Sequence, residues 1–303
     1  MGWMMDPKCE GTFCRQLTRY LPQIIVVAMA CWSAGCGTRV VSVSATPSNW
    51  RQEQPFSAAH WKKFPAPQPG EIDQSLTLYG TYYFTPVHQY TASGIPVLDR
   101  AGAALGPRLS KTAFCEAGDE GAFRAPVSQN GRAATFNIAG VAGDAESQAD
   151  CTRVFAAKLE GYARGLETRN WPSIVAGFQR ARYRATDAPY GNANTRWWLV
   201  PWRTLATDNM KIPPGTVLFI PQAVGVRVLL PSGDTVRHDG YFFAADSGSD
   251  IRDSHIDFFT GLLNPETHIA FIPGIDGRNN TFTVHVVTRG DVTAYFKGLH
   301  HME

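Results

Sequence analysis

The sequence lacks an excess of either charge. Its 28 Lys and Arg stand against 26 Asp and Glu, a net of +2. No basic stripe interleaved with aromatics occurs, so nucleic acid is not an expected partner. Cysteine is scarce, at six in 303 residues. Neither Cys-x-x-Cys nor His-Glu-x-x-His spacing occurs, so no metal and no other cofactor is expected. No internal repeat is visible, and no apolar run reaches the roughly 20 residues of a confident membrane span. What remains is an ordinary globular composition, 44% hydrophobic and 18% charged, with a sizeable core. Twenty Pro and 28 Gly imply many turns and favour a β-rich architecture. Eight Trp and ten Tyr suit a core and a sugar-binding cleft alike.

The chain opens with Lys8, Arg15 and Arg19, then an uncharged run over 21–30, then Ser33-Ala34-Gly35-Cys36. A basic region, a short apolar region and small residues before a cleavage point make a secretory signal over 1–35. Ser33–Cys36 resembles the lipobox of bacterial lipoproteins, which marks Cys36 for lipidation, with Cys31 the weaker alternative. Membrane contact is expected through that lipid. Residues 36–70, rich in Ser and Pro, read as an extended tether. Trp50 and Trp61 are able to dock back from it. Beyond the leader and the lipid-bearing Cys36, only Cys115 and Cys151 remain, either a disulfide in an oxidising compartment or two buried thiols.

The folded part is expected over 71–303. Strand composition marks 76–85, 134–139, 216–220, 225–230, 240–245, 267–272 and 281–287, with a short strand at Lys111–Cys115. Pro231–Asp234 is a tight turn. Val154, Phe155, Leu159, Tyr162 and Leu166 repeat at helical spacing, which places one amphipathic helix in 150–168. An irregular stretch, 180–196, follows. Many short strands around a helical insertion near 150–196 point to a mainly β fold with a small closed barrel.

The stretch richest in chemistry is 242–261, where Asp246, Asp250, Asp253 and Asp257 fall among Phe, Ile, Gly and Ser. Asp246 stands where a buried strand hands over to the turn Ser247-Gly248-Ser249. Asp257 lies between Ile256 and Phe258-Phe259, neighbours that would desolvate it and raise its pKa toward that of a general acid. Acidic clusters with Gly and Ser are also common in solvated turns, and that bland reading stands beside the catalytic one.

Three blocks together resemble the three-aspartate (3D) domain of the membrane-bound lytic transglycosylase A superfamily. They are Thr207-Asp208 with Pro213-Pro214-Gly215-Thr216, then Asp246-Ser247-Gly248-Ser249-Asp250-Ile251, then His255-Ile256-Asp257-Phe258. Thr112-Ala113-Phe114 is similar to an earlier Thr-Ala-Tyr strand of that family. Ser249 departs from the family's second turn glycine, and 151–196 has no match. The resemblance implies a six-stranded double-psi β-barrel that binds peptidoglycan glycan strands and cleaves the MurNAc–GlcNAc β-1,4 bond without net hydrolysis. It implies Asp257 as the acid and then the base, with Asp246 and Asp208 holding geometry, and Thr112, Ser247 and Gly248 near substrate. A monomer facing the periplasm is expected, anchored in the outer membrane rather than the inner. Two other readings stand beside it. One is a glycan-binding envelope lipoprotein without activity. The other is a dimeric aspartic protease built on Asp246-Ser247-Gly248-Ser249, since one copy of that turn would need a second chain.

Overall fold

The computed structural model describes residues 56–166, 169–194, 197–248, 251–262 and 277–301. Thirteen strands and four α-helices follow one another in those segments. The first part runs β1 (Ile72–Tyr83), β2 (Ile95–Leu98), β3 (Ala104–Leu109), α1 (Lys111–Glu120), β4 (Ala122–Pro126), β5 (Ala133–Val141), α2 (Ala156–Ala163), α3 (Trp171–Phe178) and β6 (Ala181–Thr186). The second runs β7 (Thr204–Ala206), β8 (Val217–Phe219), β9 (Arg227–Leu229), β10 (Thr235–Arg237), β11 (Tyr241–Asp246), β12 (His255–Phe259), β13 (Phe282–Val287) and α4 (Gly290–His300).

Six strands close the expected double-psi barrel in the order β1-β12-β7-β11-β8-β13. The pairs β1–β12 and β7–β11 are parallel and the others antiparallel. Side chains alternate between two apolar layers, as strand geometry requires. Leu78, Leu205, Leu218, Phe242, Ile256, Phe258 and Val284 share the core inside the barrel. Phe243, Phe259 and Val287 belong to another, which includes Phe296 of α4. Gly80 sits inside β1 because Phe258 fills the space beside it: a Cβ there would lie 2.5 Å from the Phe258 ring.

Residues 56–64 differ from the tether expected there. Phe56, Trp61 and Phe64 are buried in the outer core. Asp239 accepts from the Phe64 amide at 3.0 Å, and Arg203 Nη2 donates to the Lys62 carbonyl at 2.8 Å. The Arg203 guanidinium is fully buried 3.7 Å from the Trp61 ring centroid, and it pairs with Asp239 at 2.5 Å.

Between β1 and β7 the chain builds a second lobe, larger than the helical insertion expected near 150–196. Its antiparallel sheet β4-β5-β6 and its hairpin β2-β3 pack with α1 around Phe114, Phe123, Phe136 and Tyr183. Two local expectations fail here. Lys111–Cys115 is the start of helix α1 rather than a strand. Ser110 Oγ caps it by accepting from Ala113 N, and Phe114, Cys115, Ala117 and Gly118 bury one helical face. A window of five residues was too short to reveal that period. Residues 181–186, expected to be irregular, form β6 against β5. The helix expected in 150–168 is α2, and a further helix, α3, follows it, with Phe155, Trp171 and Val175 packed around the Cys115–Cys151 disulfide.

The chain crosses between lobes twice. On the way out His88 N donates to Arg124 O and Arg124 N to Pro86 O, both at 2.8 Å. On the way back Asn137 of β5 clamps Asn192 with two hydrogen bonds, at 2.7 and 2.8 Å. The signal segment and Cys36, the tether before 56, Ser249, Asp250 and the strand expected at 267–272 lie outside the described residues. Among those described, no helix is long and apolar enough to cross a membrane.

Candidate active site

Strand β7 is the middle of the site. Ala206, its last residue, pairs with Asp257 of β12 on one side and Asp246 of β11 on the other. Asp257 pairs in turn with Thr81 of β1. One row therefore reads Thr81–Asp257–Ala206–Asp246 across four strands, and neighbours in a row point to the same face. Strands lie about 4.8 Å apart, so the two aspartate backbones stand roughly 10 Å apart with only a methyl group between them.

Asp246 joins this row through an irregularity. Phe242 and Ala244 point into the barrel, and strict alternation would send Asp246 inward as well. The register slips between Ala244 and Asp246, a bulge that returns Asp246 to the outer face. There its oxygens accept from Tyr83 Oη (2.8 Å), Asn194 N (2.9 Å) and Ser247 N (2.8 Å). Burial raises its pKa, and these three donors offset part of the rise. The same burial, with the Asp246 charge beside it, keeps the Tyr83 phenol well above its usual range.

Asp257 is half-buried rather than wrapped in apolar side chains. Its neighbours Ile256 and Phe258 alternate to the other face and fill the barrel. Its Oδ1 accepts from Thr81 Oγ1 at 2.9 Å, while His255 Nε2 lies 2.7 Å from the same hydroxyl. Since that hydroxyl proton goes to Asp257, His255 Nε2 carries its own proton and donates to Thr81. Stacking on Tyr79, with ring centroids 4.7 Å apart, orients the imidazole.

Asp208 follows Ala206 by two residues, at the exit of β7. Its carboxylate accepts from Met210 N (3.1 Å) and Asp253 N (2.9 Å), and these amides lower its pKa. Asp253 takes a left-handed backbone, φ 54°, at the turn leading into β12. Asp208 thus fastens the turn that delivers Asp257.

The row opens on a cleft of about 1260 Å³ between the lobes. Asp257, Ala206, Asp246, Ser247 and Gly248 line its barrel side, and Glu120, Asn137 and Arg184 its other side. Asp208 lines an adjoining hollow of about 310 Å³ that shares Asn194, Ser247 and Gly248 with the cleft. Gly248 leaves room for Ile251, whose Cγ1 would lie 2.8 Å from a Cβ there. Thr112 does not join this group: it is exposed in the first turn of α1 and does not line the cleft. The sequence reading did not single out Thr81, Tyr83, Asn194 or Glu120. The strand 76–85 was legible, but its pairing beside Asp257 was not.

Residues 203–270 match the model of the 3D domain. Among solved structures, the chain is similar to Escherichia coli MltA with bound chitohexaose, at 16% identity over 69% of this chain and 71% of that one, TM-score 0.39. It is similar to a membrane-bound lytic murein transglycosylase from Agrobacterium tumefaciens, at 14% identity over 72% and 76%, TM-score 0.40. It is also similar to MltA from Neisseria gonorrhoeae, at 13% identity over 71% and 74%, TM-score 0.37. No match was found among curated proteins. Asp208, Asp246 and Asp257 all fall inside the matched stretch, and this chain carries a 3D domain over residues 203–270.

Proposed function

We propose that the protein is a peptidoglycan lytic transglycosylase with Asp257 as its acid and base. The observation that carries this reading is the outward row in which Asp257, held by Thr81, shares an open cleft with Asp246. The cleft exceeds the 300–1,000 Å³ of a typical small-molecule pocket, which suits a polymer. A protonated Asp257 gives its proton to the glycosidic oxygen as the bond to MurNAc C1 breaks. The resulting carboxylate takes the proton of the MurNAc 6-hydroxyl as O6 closes on C1, leaving a 1,6-anhydro end. The attacking group belongs to the substrate, so one carboxyl serves both steps. Asp246 and Asp208 act on position, through the Asn194–Ser247 turn and the Asp253 turn. The three donors on Asp246 suit that role better than sharing a proton with a second copy of itself, as a dimeric protease requires.

The place of action under this reading is the cell envelope, with Cys36 as lipid anchor. Incubation of the chain with purified sacculi tests the chemistry. Mass analysis is expected to show anhydro-muropeptides. Products with hydrated reducing ends, or co-sedimentation with no release, would sink it in favour of a hydrolase or a glycan-binding protein.

A further inference from the structure

The hairpin β9-β10 turns one face to the core and a charged one outward. Val228 and Val236 pack on the outer core beneath it. Arg227, Leu229, Thr235 and Arg237 are exposed on the opposite face, as alternation requires. Arg227 stands directly opposite Arg237 in the register. Like charges so placed destabilise a hairpin, and no acid among the described residues pairs with either arginine. Arg237 Nη1 donates instead to Gly225 O at 3.1 Å. Val224, the residue before that carbonyl, is 52% exposed, and Leu229 is 51% exposed.

The same hairpin is where the N-terminal part of the chain joins the fold. In its turn, Asp234 Oδ2 accepts from Ala58 N and from Ser232 Oγ, both at 2.9 Å, so the one nearby carboxylate is already engaged. Phe56 and Trp61 lie in the core to which Val228 belongs. Residues 56–64 add exposed Lys62 and Lys63 and contain no acid.

We propose that this outward face docks on an anionic lipid bilayer. The two guanidinium groups take lipid phosphates, while Leu229 and Val224 reach the boundary between headgroups and acyl chains. The proposal goes beyond the reaction in the cleft and stands without it. Arginine meets phosphate oxygens with a planar fork of N–H donors. A phosphate between Arg227 and Arg237 turns their repulsion into a shared attraction. Aliphatic side chains beside exposed cations suit a bilayer interface. A second copy of this chain is a poor occupant, since it would face two arginines with two more. A lipid on Cys36 would raise the local concentration of bilayer at this face, because the tether joins the fold here.

Co-sedimentation of the full chain with vesicles tests this, using pure phosphatidylcholine and an equimolar mixture with phosphatidylglycerol. Each arginine near an anionic surface strengthens binding about fivefold. The double variant Arg227→Gln, Arg237→Gln is therefore expected to bind the mixed vesicles about 25-fold more weakly. Its binding to pure phosphatidylcholine and to purified sacculi is expected to be unchanged. Any hold exerted by the leader or its lipid is common to both proteins. Leu229→Ser is expected to weaken binding to the mixed vesicles severalfold. Arg227→Gln alone relieves the like-charge pair, so its urea midpoint is expected to equal or exceed that of wild type. A double variant that binds the mixed vesicles like wild type, or a wild type that binds both vesicles equally, overturns the docking. So does a lowered urea midpoint, which would make the arginines part of the fold. Loss of binding to sacculi instead of vesicles would make a wall polymer the occupant. Displacement by inorganic phosphate, with ionic strength matched by chloride, would mark a small-anion site; either result rejects the lipid surface.

Discussion

The Thr81 hydroxyl has one proton, and its placement couples three side chains. Giving it to Asp257 requires His255 to donate from Nε2, and the Tyr79 stack holds the ring for that. Thr81→Val keeps the shape and removes the link. A hydrogen bond to a charged group contributes about 1.5–3 kcal/mol, so turnover is expected to fall about 10–100-fold with sacculus binding retained, as release assays and co-sedimentation would show. Asp257→Asn removes acid and base together, and a loss of at least about 1,000-fold is expected in the same assays. Much of this site was legible in the sequence, because Asp208, Asp246 and Asp257 stand in a recognisable order around Gly and Pro turns. Thr81 and Tyr83 were not, since each reaches its aspartate from a distant part of the chain. The expectation that Ile256 and Phe258 enclose Asp257 failed on alternation: neighbours in sequence point to opposite faces of a strand.

At the scale of elements, two fastenings decide how the lobes and the N-terminal segment are held. The Cys115–Cys151 disulfide joins α1, which ends in Glu120, to the segment before α2 across a separation of 36 residues. Its loss in a Cys115→Ser, Cys151→Ser double variant is expected to cost about 2–4 kcal/mol. Hydrogen exchange should show lost protection in α1 and α3 with β11 and β12 still protected. The Arg203–Asp239 pair does the corresponding work for residues 56–64. Arg203→Met leaves a buried carboxylate without its cation, and a loss of about 3–5 kcal/mol is expected in urea unfolding, together with proteolytic sensitivity near Lys62. The disulfide stood in the sequence as one of two readings of Cys115 and Cys151, whereas the Arg203 clamp was not readable. The Cys pair was visible without its partner elements, and of the three aromatic anchors in the run rich in Pro and Ser only Trp61 stood out.

For the whole molecule, buried histidines set the response to acid. Burial lowers His238 and His300 from 6.5 to about 3 and His88 to about 4. The unfolded chain binds protons at these sites near pH 6.5 while the folded chain stays neutral there. Stability is therefore full above that pH and declines as pH falls toward 4, by up to about 1.4 kcal/mol per unit for each histidine. Urea midpoints at pH 7.5, 6 and 4.5 would check this. His88→Leu is expected to flatten the slope, since His88 Nε2 has no hydrogen-bond partner to lose. The barrel itself was readable from short strands and turns, whereas the sheet β4-β5-β6 was only partly so, because β6 carries Arg182 and Arg184 among its apolar residues.

The burial of Phe56, Trp61 and Phe64 also fixes the length of a leash. With a lipid on Cys36, only about 20 residues would separate the bilayer from the first anchored aromatic, roughly 70 Å at full stretch. Had the free chain run on to Glu71, the reach would have been longer by about three quarters. The clamp around Arg203 thus shortens the range of wall that such an anchored enzyme could patrol.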